Sequence, residues 1–167
     1  MADRRSSLSL AVALLVPFLA LGAMVARAEV TTRRGHPWLI AITGYDPRDL
    51  VRGHYLRYRL DWRGGAPVEE CTAAPCCYCF RASPGAPPVE PDVSKVSCSA
   101  VSACESWFPD ERLEALQKFF IPEDRASALE SDLRSRKAQL LVRVSSDGDA
   151  VITDLLLDGR PWRDVVK

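Results

Sequence analysis

Much of the usual vocabulary of catalysis is missing from this chain. It has no G-x-S-x-G nucleophile elbow, no H-E-x-x-H zinc helix and no phosphate-cradling glycine loop. No motif therefore points to a catalytic residue, a bound cofactor or a reaction, and an enzymatic reading has no support. Histidine is scarce: only His36 and His54 occur, and neither lies near the cysteines in sequence. No repeat at a fixed period is present, so a solenoid or repeat array is not expected. Excess charge is missing too, because 22 basic and 22 acidic side chains cancel. Taking away residues 1–28 removes three arginines and one aspartate, leaving 19 basic and 21 acidic groups. No basic field remains to attract nucleic acid.

What the chain does have begins at its N-terminus. Residues Leu8–Ala26 read LSLAVALLVPFLALGAMVA, 19 positions without a charge, close to the ~20 needed to cross a bilayer as a helix. Ala26-Arg27-Ala28 then offers the small-x-small pattern of a signal-peptidase site before Glu29. The length favours a retained anchor in the lipid bilayer through residues 8–26, and the Ala-x-Ala favours cleavage. Pro17 suits either. Arg4 and Arg5 precede the segment while Arg27, Arg33 and Arg34 follow it, so charge does not settle orientation. The six cysteines that follow do, because disulfides persist in oxidising compartments. The expectation is a residue 1–28 anchor or signal peptide at the cell inner membrane. Residues 29–167 would form a single extracytoplasmic domain facing the periplasm, released there if the segment is cleaved.

The cysteines are concentrated. CTAAPCCYC (71–79) holds four of the six, with Cys98 and Cys104 beyond a proline-rich stretch, in a Cys-rich hairpin region spanning about 66–106. Zinc sites repeat a short chelating pair twice; here Cys76 and Cys79 make one C-x-x-C, but five residues separate Cys98 from Cys104. A thiolate-rich copper(I) site is a variant of the same idea. Redox C-x-x-C motifs open a helix that lowers the thiol pKa, whereas Phe80-Arg81-Ala82-Ser83-Pro84 does not start one. A periplasmic thiol-redox or copper/zinc-binding protein is thus the alternative, and no metal ligand set is assigned. Structural disulfides are the plainer reading. If residues near 76–82 pair antiparallel with residues near 93–99, facing residues have a constant sum. Cys77 with Cys98 and Cys71 with Cys104 both give 175, so one register nests two cross-links. Cys76 and Cys79, about 10 Å apart in one extended strand, are beyond the ~7 Å a disulfide allows unless the chain bends.

The remaining pattern is α+β: a mostly antiparallel sheet of five to seven strands packed by one main helix, about 123–137, and preceded by the hydrophobic N-terminal helix. PWLIAITG (37–44) is a β-branched run. In HYLRYRLDW (54–62), Leu56, Tyr58, Leu60 and Trp62 alternate with Arg57, Arg59 and Asp61, a strand with one wet face. Residues 93–104 are a further strand candidate, 110–117 a short helix start, and Lys118–Pro122 a strand. Ala126, Leu129 and Leu133 make the apolar stripe of the main helix, acidic at its start and basic at its end. QLLVRVSS, Asp147-Gly148 and AVITDLLLDG form a hairpin.

DPRDLVRGHYLRYRL (46–60), KFFIPEDRASALESDL and a hairpin ending LLLDGRPW, in this order after a hydrophobic segment, resemble the GDYXXLXY family of bacterial membrane-anchored envelope proteins. The resemblance covers roughly residues 29–62 and 118–162. It rests on Asp46-Pro47-Arg48, Gly53-x-Tyr55 and Phe120-x-Pro122-Glu123. Aligning Gly53 puts His54 where the family has Asp, Tyr58 where it has Leu and Leu60 where it has Tyr. The last two exchanges keep the buried face of the strand apolar, while the first removes a carboxylate. The resemblance implies an envelope location and a multi-span membrane protein as partner, and no established reaction. His54 reads either as a general base or pH sensor or as a polar strand-start residue. Asp46, Arg48 and Asp49 read as a turn held by Asp caps and an ion pair, or as a surface read by a membrane partner.

Overall fold

The longest strand, β1 (His36–Asp46), occupies the middle of a curled six-stranded antiparallel sheet in the computed structural model, which describes residues 2–46, 55–62, 71, 74–82 and 88–166. It serves two neighbours with two halves of its length: His36–Ala41 pair with β7 (Ala138–Val144) and Ala41–Asp46 with β2 (Tyr55–Asp61). The full order is β6-β2-β1-β7-β8-β9, with β6 at Lys118–Phe120, β8 at Ala150–Leu157 and β9 at Arg160–Pro161. The alternation in β2 does what its period dictates: Leu56 and Tyr58 are buried while Arg57 and Arg59 face water. Tyr58 also needs a partner for its hydroxyl, which donates to the Leu116 carbonyl at 2.8 Å.

The β7–β8 hairpin carries the densest part of the core, with Leu140, Val142, Val144, Leu155 and Leu157 all fully buried. Gly148 has φ +85, a conformation L side chains rarely adopt, so glycine suits the turn. The Ser145 hydroxyl accepts the backbone N–H groups of Asp147 and Asp149 at 3.2 and 3.1 Å and closes that turn. Helix α2 (Glu123–Ser135) buries Ala126, Leu129 and Leu133, the stripe read from the sequence. Burial of a leucine at this level stabilises by roughly 1.5–3 kcal/mol. The helix stops two residues before the expected end, because Arg136 is extended and the Lys137 N–H donates to Asp158 Oδ1 at 3.1 Å, feeding β7.

A second sheet, order β4-β3-β5, contains the cysteines: β3 (Cys76–Ala82) lies between β4 (Pro91–Ser97) and β5 (Ser106–Pro109). Its inner face sets Tyr78, Phe80, Val93 and Phe108 against Trp38 and Trp62 of the larger sheet. Trp38 is fully buried, and its indole N–H donates to the buried Ser106 hydroxyl at 2.8 Å, tying the sheets together.

Two local expectations are corrected. Residues 93–104 are not one strand: β4 ends at Ser97, and Cys98–Ala103 is a 3₁₀ segment. Residues 110–117 do not start an α-helix but form two 3₁₀ turns, Asp110–Arg112 and Ala115–Gln117. Short 3₁₀ pieces are common connectors, and here they bring Leu116 into the core under Tyr58. A closing helix, α3 (Trp162–Val165), buries Trp162.

Candidate functional site

The cysteine region is a strap across a sheet. Opposed residues of β3 and β4 sum to 173, as in Cys77 with Val96, not to 175. Cys77 and Cys79 are two residues apart in β3, so they share the outer face, and both are fully buried there. The 3₁₀ segment Cys98–Ala103 crosses that face from the β4 edge to the β5 edge. Its ends are fixed on β3 by the disulfides Cys77–Cys98 and Cys79–Cys104, with Cα–Cα distances of 5.1 and 5.3 Å. The Glu105 N–H donates to the Phe80 carbonyl at 3.0 Å and starts β5 on the far side. The nested pairing of Cys71 with Cys104 is therefore overturned. Cys71 instead closes a five-residue loop to Cys76, whose Cα is 6.0 Å away.

The physical reason is the change of conformation at Ser97. A 3₁₀ segment advances ~2.0 Å per residue against ~3.3 Å in a strand, which places Cys104 over Cys79 rather than beyond the end of β3. All six sulfurs are engaged in disulfides, and in that state none is a thiolate. Among the described residues, no group of three or more His, Cys, Asp and Glu side chains is placed to hold a metal.

A second constellation, unmarked by any motif, forms where the N-terminal helix meets the sheets. Helix α1 (Ala2–Arg34) runs without a break through Ala26-Arg27-Ala28. Its Ala13–Arg34 part holds an 18-residue window of mean hydropathy 1.8, none of that window buried, so it is long and apolar enough to cross a membrane, and equally compatible with a signal sequence. Leu14, Phe18, Leu19, Met24 and Val25 all project outward. Below them the helix docks. Arg27 Nε donates to Asp149 Oδ2, and Arg112 Nη2 lies 3.2 Å from Asp149 Oδ1. Asp149 is 7% exposed, and two guanidinium groups offset the cost of burying its charge.

The junction admits no bulk and no slack. Thr31 is 3% exposed, one turn further along α1. Gly35, the single residue between α1 and β1, donates to the Thr31 carbonyl at 2.8 Å and accepts from Arg143 Nη1 at 3.0 Å. A Cβ at Gly35 would lie 2.5 Å from the Thr31 carbonyl oxygen. On its other side the Ser145–Asp149 turn meets the small sheet. Trp107, opposite Cys79 in the ladder, donates its indole N–H to the Ser146 carbonyl at 2.9 Å. Its ring covers Gly148 so closely that a Cβ there would approach to 2.7 Å. This turn is thus where α1, the large sheet and the cysteine sheet meet. An ion pair spanning 122 positions leaves no local trace in sequence, although Asp149 beside an Asp-Gly turn marks the hairpin.

The described positions among those that carried the resemblance lie toward the opposite end of β1. Asp46 closes β1 in register with Arg57, across a bulge from Thr43. Tyr55 opens β2 opposite Phe120, two residues before Pro122, the N-cap of α2, and Glu123, its first residue. Pro47, Arg48, Asp49, Gly53 and His54 lie outside the described residues. Strand β1 has eleven residues, so the two ends of this sheet are separated by roughly 30 Å at ~3.3 Å per residue. His36, at the helix end, stacks on Trp38 with ring centroids 4.3 Å apart and reaches Glu105 Oε2 at 4.0 Å.

No curated protein and no solved structure matches the chain. The sequence model of the GDYXXLXY protein matches residues 17–96, a stretch that runs from mid-α1 through β1, β2 and β3 into β4 and stops short of Cys98 and Cys104. Over these residues the chain is similar to the GDYXXLXY family, the one its sequence resembles.

Proposed function

We propose that this protein is a membrane-anchored extracytoplasmic module that works by contact with another membrane protein and not by catalysis. The observation that carries the reading is the junction at Gly35. An apolar helix of spanning length passes into β1 through one residue, so the folded part sits at the bilayer surface with no flexible tether. From Ala26 to Arg34 the helix rises only about 12 Å at ~1.5 Å per residue, and a partner must lie within that reach. Three disulfides support an oxidising compartment, here the periplasmic side of the inner membrane. The described resemblance positions at the far end of β1, Asp46, Tyr55 and Glu123 among them, mark the surface offered to a multi-span protein.

The test is fractionation of the full chain in a bacterial host, followed by protease treatment of spheroplasts. Retention in alkaline-washed membranes, with the folded part digested from outside, is expected. Recovery of a soluble species beginning at Glu29, or protection of the folded part inside the spheroplast, would overturn the reading. Photocrosslinking from a probe at Thr43, exposed near the signature end of β1, is expected to give a discrete adduct with an integral membrane protein. The absence of any adduct argues against the partner.

A further inference from the structure

We propose that the cleft between the last turns of α1 and the β7–β8 turn binds the headgroup of a zwitterionic aminophospholipid, phosphate at Arg34 and ammonium at Asp147. The proposal rests on the membrane-anchored reading and adds a ligand to it. The cleft has a volume of about 490 Å³ and is lined by Arg27, Val30, Thr31, Arg34, Ser146 and Asp147, among others.

Depth comes first. The cleft runs along α1 from Ala26, the last residue of the uncharged run, to Arg34. At ~1.5 Å per residue that covers about 12 Å above the hydrocarbon edge. The headgroup layer of one leaflet, about 5–8 Å deep, fills the lower part of it, and a long side chain at Arg34, leaning back toward the helix N-terminus, reaches down to that layer. Any lipid beside α1 in that leaflet brings its phosphate to the level of this wall. Val30, 52% exposed within the cleft, continues the apolar side of the helix for the glycerol end of the lipid.

Charge selects the headgroup. Asp149 is already engaged by Arg27 and Arg112, and Arg33 is paired with Glu29 at 2.7 Å. Arg34 is exposed, and among the described residues no carboxylate pairs with it. A guanidinium recognises a phosphate through paired hydrogen bonds. Asp147 is an exposed carboxylate of the same cleft, with the Ser146 hydroxyl at 3.5 Å; the Arg27 guanidinium feels its charge but is bonded to Asp149. Among the described residues neither Arg34 nor Asp147 makes a direct ion pair, and a cation and an anion lining one cleft suit a ligand that carries both charges. A purely basic pocket would instead favour anionic lipids.

The experiment uses the full chain in detergent, incubated with equal amounts of phosphatidylethanolamine, phosphatidylcholine and phosphatidylglycerol, with retained lipid read by native mass spectrometry. Phosphatidylethanolamine is expected to be retained preferentially. Arg34→Ala and Asp147→Asn should each lower its retention roughly tenfold, the loss of one charge-assisted hydrogen bond, while Arg33→Ala leaves it unchanged. Equal retention of the three lipids, preference for phosphatidylglycerol, or unaltered retention in both variants would overturn the proposal. So would equally tight binding of soluble glycerophosphoethanolamine, which would move the ligand from the bilayer to solution. Flotation with phosphatidylcholine vesicles separates the two layers of inference. A chain that floats but shows no headgroup preference sinks this site alone, and a chain that never floats sinks the anchor beneath it.

Discussion

In the six-stranded sheet, β7 is paired along its length on both sides and places three fully buried aliphatic side chains in the same core cluster as Leu155 and Leu157 of β8 and Leu129 and Leu133 of α2. In the three-stranded sheet, the outer face of β3 is covered by a 3₁₀ segment that contributes no buried residue of its own. What keeps that segment in place is two sulfur–sulfur bonds. One sheet is held by water leaving apolar surface, the other in large part by restriction of the unfolded chain. The difference teaches that the cysteines substitute for a hydrophobic layer that the serine- and alanine-rich segment CSAVSA is unable to build.

The comparison breaks most visibly in the large sheet. Leu140→Ala removes a fully buried side chain from the centre of β7 and is expected to cost about 2–5 kcal/mol, equally with and without dithiothreitol, measured by urea unfolding. A cost that changes with redox state would show that the two sheets do not have separate sources of stability. Next in size, the paired change Cys79→Ala with Cys104→Ala is expected to cost about 2–4 kcal/mol in oxidising buffer. The gap to the unaltered protein should close under reduction. Hydrogen exchange should show β3–β5 amides losing protection while β1, β7 and β8 keep theirs; uniform loss across both sheets would contradict the contrast.

The smallest effect sharpens the comparison from the polar side of the large sheet. Burial pushes the Tyr58 phenol well above its ordinary value. Above pH ~10 the unfolded chain releases this proton and the folded one keeps it, so stability falls as pH rises, by up to about 1.4 kcal/mol per unit. Tyr58→Phe should cost about 1 kcal/mol at neutral pH, through the Leu116 carbonyl it leaves unpaired, and should flatten the alkaline decline. Tyr78, raised chiefly by the same desolvation, leaves a residual slope. An unchanged decline in the variant would mean Tyr58 is not its source.

These regions were unequally legible in the sequence. Periodicity exposed β2 and α2 because each shows one wet and one dry face, and the β7–β8 hairpin was legible from two apolar runs flanking the Asp147-Gly148 turn. The Cys77–Cys98 bridge was readable from the idea of an antiparallel hairpin, yet the register was off by two, since nothing in VSCSAVSAC announces that extended backbone gives way at Ser97. The sum rule pairs Cys71 with Cys104, and leaves Cys76 and Cys79 open, for the same reason: it assumes both arms stay straight. The junction of Arg27, Asp149 and Arg112 was invisible, because tertiary ion pairs obey no spacing. The signature around Asp46, Tyr55 and Glu123 was legible as a family resemblance, and the strand pairing explains why such distant segments belong together.

Gly35 has a consequence for direction. With α1 rigid up to Arg34 and the fold starting at His36, each residue between the apolar run and the glycine advances the fold about 100° around the helix axis. The count of residues there therefore acts as a compass setting. One residue more or fewer would turn the signature end of β1 to a different bearing, even with every contact inside the sheets intact.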